Sequence, residues 1–441
     1  MALILRRNTK SKMVRLPDYG ITPGSPIEDI PLPSKIILPL LSQYGKTLNA
    51  IVKKGDAVLG KQKIADSEDF NATPLHATIS GEVTGVIKLI DPSVGRPIDA
   101  LVITSDGEDK SIEPSAVENP QSLAVEDMIG RIREAGITGN ETDSISAHVR
   151  LCPPQDNKID AVIINGSQRE PYLTADIHLM QENLDEVLSG ATIINKILSP
   201  ADIFIAIDAD RYDIVDSLKD YIKTSGVDNF RIVMLENNYP TTVESNLTKV
   251  ILNREIAPGT TAADAGIAVF NAITALVIND AVSRGEPFTG KVITVAGGVN
   301  KAANLRVRFG TPLGHLIDYS GGIKGDTNKI VINGLMSGIS IYDREFPVTK
   351  ETNSILLEKD TAFRERDCIR CGKCLDICPA RLSPTLLAAY AKAGRYDECE
   401  EAYISSCFEC GACSYICPSN IPLLQYIKIA KSELVKKTVV K

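Results

Sequence analysis

No stretch of this 441-residue sequence approaches the ~18 consecutive apolar residues that a membrane-spanning helix needs. The opening MALILRRNTKSKMVRLPDYG has too short an apolar run for a signal peptide, so the chain reads as neither integral to a membrane nor secreted. Cysteine is almost missing from the first 367 residues, where only Cys152 occurs, which excludes a disulfide framework spread over the chain. Excess positive charge is missing too. The formal net charge is −8, and residues 1 to 20 carry Arg6, Arg7, Lys10, Lys12 and Arg15 against Asp18. The remainder is more acidic still and offers no general attraction for phosphate backbones, so no nucleic-acid partner is expected. The four histidines, His76, His148, His178 and His315, lack metal-ligand spacing and read as structural.

What is present is a chain of globular composition, with 44% hydrophobic and 24% charged residues, 31 Gly and 24 Pro. Its length suggests roughly three domains at ~150 residues each. Residues 1–30 read as a basic, solvated arm that is mobile. Residues 31–110 read as short β-runs with Gly turns. Val52, Gly55, Asp56, Val58 and Gly60, then His76, Ala77, Ser80, Gly81 and Val83, resemble the half-motifs of lipoyl and biotinyl carrier domains. The hairpin that would carry an acceptor lysine reads Glu68, Asp69, Phe70, Asn71 and Ala72, so the module is expected to be a structural β-sandwich (barrel-sandwich hybrid) rather than a swinging arm.

From 120 to 285 strands and helices alternate. DAVIING (160–166), DIFIAID (202–208), RIVMLE (231–236) and GIAVFN (266–271) have strand length and β-branched content, with helix-period stretches between them. That pattern predicts an open, mostly parallel Rossmann-like α/β sheet, with the loop Asn165 to Tyr172 at a strand's carboxyl end where ligands bind. Residues 286–345 return to short β-runs and predict a small second β-domain. The region 355–441 holds the other nine cysteines.

Residues 368–379 read CIRCGKCLDICP and residues 407–418 read CFECGACSYICP. Both are C-x2-C-x2-C-x3-C-P, in which three thiolates hold one 4Fe-4S cube and the fourth cysteine reaches the other. The expected sets are Cys368, Cys371, Cys374 and Cys417 for one cluster, and Cys407, Cys410, Cys413 and Cys378 for the second. Thiolates suit iron–sulfur chemistry, and two-residue gaps let a tight loop wrap three corners of a cube, with Gly372 and Gly411 permitting close backbone approach. Structural zinc is the competing reading. It takes four ligands in a closed tetrahedron, whereas each run here brings four cysteines and a proline. Between the runs, SPTLLAAYAKAG predicts a helix with Ser383 as N-cap, Pro384 at the first turn and Gly394 past its end, and a second helix-like stretch follows, so an α-helical ferredoxin domain is expected. Cys399 and Cys152 stand outside the runs and read as buried structural thiols.

Several stretches together give a family resemblance: LPSKIILPL with VKKGDAVLGKQKIA, NGSQREPYLTAD (165–176), KVITVAGGV with GTPLG (291–314), FPVTKETNSIL (346–356) and the paired cysteine runs. In this order the sequence resembles the RnfC subunit of the Rnf ion-translocating electron-transport complex over most of its length. The resemblance implies an α/β part like the flavin and NADH module of the respiratory complex I flavoprotein, a β-grasp (SLBB-like) domain and a ferredoxin domain. It also implies Rnf partner subunits, embedded in the membrane and iron–sulfur, ferredoxin or another one-electron carrier, and a peripheral position on the cytoplasmic face of the cell membrane through those partners. Lys428, Lys431, Lys436 and Lys437 are expected to assist that attachment.

Departures from the family pattern shape the expectation. Typical members have AGIVGLGGAGFPTHVK where this chain has AGITGNETDSISAHVRL (135–151). Ala135, Gly136, Ile137, Gly139, His148 and Val149 match, but Asn140, Glu141, Thr142 and Asp143 replace the glycine core. Lost glycines block close approach of a flavin phosphate, and Glu141 and Asp143 repel it. The family's N-G-A-E-C-E-P-Y is Asn165, Gly166, Ser167, Gln168, Arg169, Glu170, Pro171 and Tyr172 here, and Glu170 reads as a solvated carboxylate on a turn. The expectation is an ion-translocating oxidoreductase subunit that relays electrons through two 4Fe-4S clusters, with no FMN, no NADH and no catalytic side chain of its own. The alternatives are an NADH-oxidising flavin and iron–sulfur subunit, in an Rnf complex or a related cobalamin reductase, and an adaptor that only tethers a reductase.

Overall fold

Side chains that alternate in and out of a strand set the first unit. In the computed structural model, which describes residues 4–7, 14, 25–42, 46–92, 95–139, 145–154, 156–167, 170–236, 238–241, 243–257, 259–361 and 363–439, the strands Lys35–Pro39, Arg96–Ser105, Gly81–Asp91 and Ala57–Val58 form one antiparallel sheet. Asn49–Ala50, Lys63–Asp66 and Leu75–His76 form a second. Ile36, Leu38, Ile64, Ile79, Val83, Leu101 and Ile103 are buried there. This is the barrel-sandwich hybrid.

The α/β module is built on a wholly parallel five-stranded sheet in the order Ile4–Arg7, Phe230–Leu235, Asp202–Asp208, Ala161–Asn165, Ile267–Asn271. Every residue of Ala161–Asn165 is buried, as a central strand covered on both faces requires. The helices Leu184–Leu198 and Ala272–Asn279 cover one face, and Gly190 allows their close crossing, because a Cβ there would lie 1.7 Å from the Ala275 carbonyl oxygen. The four apolar runs read from the sequence are the four inner strands. The fifth strand corrects the reading of the basic arm: Ile4–Arg7 pairs in register with Ile232 to Leu235. Those few apolar residues satisfy backbone groups that the edge of Phe230–Leu235 would otherwise leave open, which outweighs the cost of ordering them.

The next unit is a mixed six-stranded sheet, ordered Ile339–Ile341, Lys329–Ile332, Ser354–Glu358, Gly290–Gly297, Ala303–Arg308, Glu28–Asp29, with the helix Leu313–Tyr319 contributing Leu313, Leu316 and Ile317 to the core. Its limits differ from 286–345. Ser354–Glu358 is an inner strand bonded on both sides, and Glu28–Asp29, assigned to the arm, closes the edge. The apolar ILL of the first needs two neighbours to bury it. At the C-terminus the helices Lys373–Ile377, Pro384–Lys392, Tyr396–Glu401, Ala412–Tyr415 and Leu423–Val439 gather around Leu387, Ala391, Cys399, Ile404, Ile427 and Ala430. Among the described residues no helix is long and apolar enough to cross a membrane.

Candidate functional site

The two cysteine runs adopt the same backbone. Arg370 and Glu409, each two residues after the first cysteine, have φ of 56° and 56°, and Gly372 and Gly411 follow at 77° and 74°. Arg381 and Asn420, each three residues after the last cysteine, are also left-handed, at 56° and 52°. Such turns direct successive N–H groups inward, the geometry of an anion nest. The Arg370 amide points to Cys368 Sγ at 3.4 Å and the Leu382 amide to Cys378 Sγ at 3.3 Å. Each glycine then caps a short helix, Lys373–Ile377 or Ala412–Tyr415, that carries the third cysteine.

One cavity is lined by Cys378 from the first run together with Cys407, Cys410 and Cys413 from the second, walled by Leu382, Leu387, Leu424 and Ile427. Burial pushes the Cys410 and Cys413 thiols up to about 12, and in both the neighbouring sulfurs, Cys407 and Cys378 among them, push the same way. A cationic iron core reverses that balance, since a coordinating thiol is deprotonated. Cys374 is buried beside Ala388, Ile421 and Leu423, with Cys413 and Cys417 against the same group, and burial first, then Cys417, raises its thiol. Cys368 and Cys371 are exposed. The thiols present therefore fit two cubes, with soft donors converging from both runs on one cavity and peptide N–H groups aimed at sulfur.

The second run is packed against the rest of the molecule. The Tyr239 hydroxyl, itself buried, donates to the Cys410 carbonyl at 2.5 Å. A Cβ on Gly411 would lie 2.1 Å from the Met336 carbonyl oxygen. Glu170 is 7% exposed and accepts hydrogen bonds from the Met336 and Ser337 amides, both at 3.0 Å, and from the Ser337 hydroxyl. This corrects the solvated carboxylate expected there. The loop after Lys329–Ile332 folds over Glu170, and its amides replace water. Lys428 donates to the Ser337 carbonyl at 2.8 Å, and Lys431 to the Cys407 carbonyl and Glu409 at 2.7 and 2.8 Å. Lys436 and Lys437 pair with Glu433 and Asp397. These lysines, expected at a membrane, hold the ferredoxin unit together.

Other predicted residues fall outside the clusters. Cys399 is fully buried, its Sγ directed to the Leu387 carbonyl at 3.7 Å. Cys152 is exposed rather than buried, because it lies on the turn after the helix Ala147–Arg150. Asn140 to Asp143, Gln168 and Arg169 lie outside the described residues. Gly139 closes the loop before them, where a Cβ would lie 1.7 Å from the Ile145 carbonyl oxygen. Each histidine has a backbone or core role: His148 meets the Phe70 carbonyl at 2.6 Å, His178 that of Thr174 at 2.9 Å, His315 that of Pro31 at 3.1 Å, and burial, then Lys350, drives buried His76 down to about 3. The sequence reading missed Tyr239 and Lys350. The latter is a buried ammonium bonded to the Pro74 and Gly136 carbonyls at 3.1 and 2.7 Å, and burial lowers it to about 8.

Comparison with known families agrees with this architecture. Residues 14–108 match the RnfC barrel sandwich hybrid domain, 132–280 the Nuo51 FMN-binding domain and 365–421 a 4Fe-4S dicluster domain. Together these define an electron-transfer subunit of an oxidoreductase complex. The sequence is 38% identical to the RnfC subunit of the proton-translocating ferredoxin:NAD(+) oxidoreductase complex of Clostridium ljungdahlii, covering 93% of this chain and 91% of that one. It is 34% identical to the counterpart in the Na(+)-translocating ferredoxin:NAD(+) oxidoreductase complex of Acetobacterium woodii, covering 91% of each. It is 35% identical to the counterpart in the ion-translocating oxidoreductase complex of Rhodobacter capsulatus, covering 94% and 80%. The chain belongs to the RnfC family of Rnf ion-translocating oxidoreductase complexes. A solved NAD+-reducing [NiFe]-hydrogenase in the H2-reduced state shares the fold over 72% of this chain and 62% of that one, with a TM-score of 0.51 at 12% identity. The match over 132–280 weighs against a degenerate flavin module. The five-stranded sheet is complete, and the expectation of degeneracy rests on residues outside the described ones.

Proposed function

We propose that this chain carries electrons through two 4Fe-4S clusters in crossed ligand sets, between a flavin in its α/β module and a one-electron partner of an Rnf-type complex. Cys368, Cys371, Cys374 and Cys417 hold one cluster, and Cys378, Cys407, Cys410 and Cys413 the other. The observation that carries the reading is the single cavity lined by Cys378 and three cysteines of the second run. Bound clusters supply one-electron chemistry; the chain supplies thiolates, amides aimed at sulfur and, around the second run, exclusion of water. The match of 132–280 to an FMN-binding domain and the names of the Clostridium and Acetobacterium relatives support FMN and NAD at the far end of the relay. Attachment is peripheral, on the cytoplasmic face, through partner subunits.

A second reading, the same relay without FMN or NADH, is favoured by Asn140, Glu141, Thr142 and Asp143 in place of glycines. Two carboxylates near a phosphate each oppose it by about 1 kcal/mol or more where water is partly excluded. An ultraviolet–visible spectrum of anaerobically purified protein, with iron and flavin quantified, tests both. About eight iron and one flavin per chain support the first reading, and about eight iron without flavin the second. Absence of iron sinks both.

A further inference from the structure

The first cysteine run lies on a surface that the second does not have. Cys368 and Cys371 are exposed, and three apolar side chains stand in solvent beside them: Phe363 is 74% exposed, Ile369 67% and Leu375 44%. Between Phe363 and Arg381 the chain places five cations, Arg364, Arg366, Arg370, Lys373 and Arg381, against three carboxylates, Glu365, Asp367 and Asp376. Glu365 is already held by Lys392 and the Tyr426 hydroxyl. Among the described residues no ion pair holds Arg364, Arg366, Arg370 or Lys373, and all four are exposed. Elsewhere exposed cations are commonly paired, as Lys359 is with Asp326 and Arg344 with Asp318. In a chain of net charge −8 this is a local reversal of sign. The stretch around the second run, from Ile404 to Pro422, contains no lysine or arginine at all, and its one carboxylate, Glu409, is bonded to Lys431.

We propose that this face is the docking surface for a protein that carries a one-electron centre behind an acidic patch. The apolar side chains and exposed thiol loop form the contact centre, and the unpaired arginines and lysine form the steering rim. The inference rests on the cluster assignment above, because without a cluster beneath Cys368 and Cys371 an electron has no reason to cross here. A neutral or basic partner gains nothing from four uncompensated cations, whereas an acidic one gains encounter rate and orientation. Apolar centres with arginine-rich surroundings are the composition of protein interfaces, and the small contact suits a transient electron-transfer encounter.

The test uses the holoprotein, purified anaerobically and loaded with iron, and a chemically reduced acidic two-cluster ferredoxin as the donor. Stopped-flow absorbance follows reduction of the chain's clusters at low and high salt, for the wild type and for R364E/R366E/K373E. Arg370 is left unchanged because its amide faces Cys368. The expected result is a rate that falls steeply with salt in the wild type and is lower by about tenfold or more at low salt in the variant. Iron content and reduction by reduced methyl viologen should match in the two proteins. A variant reduced by the ferredoxin as fast as the wild type, with its iron intact, overturns the docking surface and leaves the relay standing. A protein without iron overturns both. Salt- and charge-dependent binding to phosphatidylglycerol vesicles, without any effect on ferredoxin, would assign the face to a membrane and overturn the proposal.

Discussion

Around the first cysteine run a Cβ built on Gly372 meets nothing within 4 Å, two of the four thiols are exposed and the neighbouring charges are unpaired cations. Around the second, the same glycine position faces the Met336 carbonyl at 2.1 Å, Cys410 is buried and Tyr239 and Glu170 close the far side. Spacing and backbone angles are shared, so the turn that wraps a cube is a local property of C-x2-C-x2-C. How wet each cube sits is set by contacts with residues far away in the chain. Because solvent exposure, hydrogen bonds to sulfur and nearby charge tune cluster potentials, two identical motifs become two different redox centres.

The largest effect is expected where the comparison depends on crossing. Cys378→Ala should remove or degrade the cluster of the second run, and Cys417→Ala that of the first, each costing about four of eight iron. Electron paramagnetic resonance of the reduced protein distinguishes them. Loss of the exposed centre in Cys378→Ala would mean that each run holds its own cube. Next in size is a glycine pair. Gly372→Ala places an ordinary residue at a left-handed position and should cost about 1 kcal/mol. Gly411→Ala adds a collision with a backbone carbonyl and should cost about 3 kcal/mol or more, read from denaturation midpoints of the iron-loaded proteins. Equal costs would contradict the tight packing of the second run.

The sequence carried much of this, for identifiable reasons. The four inner strands of the α/β sheet were legible because buried parallel strands are continuous apolar runs, and both cysteine motifs because their spacing is rigid. Ile4–Arg7 was not legible, since four residues at a basic terminus have no periodicity and become a strand only by meeting Phe230–Leu235. Nor was the fate of Glu170. A carboxylate in a turn reads as solvated until amides from Met336 and Ser337, distant in sequence, are seen to cover it. Lys428 and Lys431 looked like a basic surface for the same reason. The difference between the two cysteine runs was invisible in principle, because both have one local pattern and differ only in long-range neighbours.

A smaller effect should appear in the kinetics of iron release. With Cys368 and Cys371 at the surface, a hydrophilic iron chelator should strip the protein in two phases, the first taking about four iron and running about tenfold or more faster than the second. In Cys378→Ala, already lacking the inner cube, only the fast phase should remain. A single phase for the wild type would mean that the two sites open together, through unfolding of the whole ferredoxin unit.

The smallest effect tests the far wall of the second run. Tyr239→Phe keeps the ring and removes the hydroxyl that donates to the Cys410 carbonyl. A buried carbonyl left without its donor costs about 1 to 2 kcal/mol, so the variant should fold, bind both clusters and unfold slightly earlier. Its redox signature is more telling than its stability. The lost bond ends on the peptide that carries a ligand of one cluster, and it lies beside the Glu170 carboxylate, whose charge Tyr239 feels. The midpoint potential of the inner cluster should therefore move while that of the exposed cluster stays fixed, in a titration followed by electron paramagnetic resonance. If both potentials moved together, the two environments would be coupled rather than separate. If neither moved, Tyr239 would be a packing residue alone, and burial without this hydrogen bond would account for the difference between the runs.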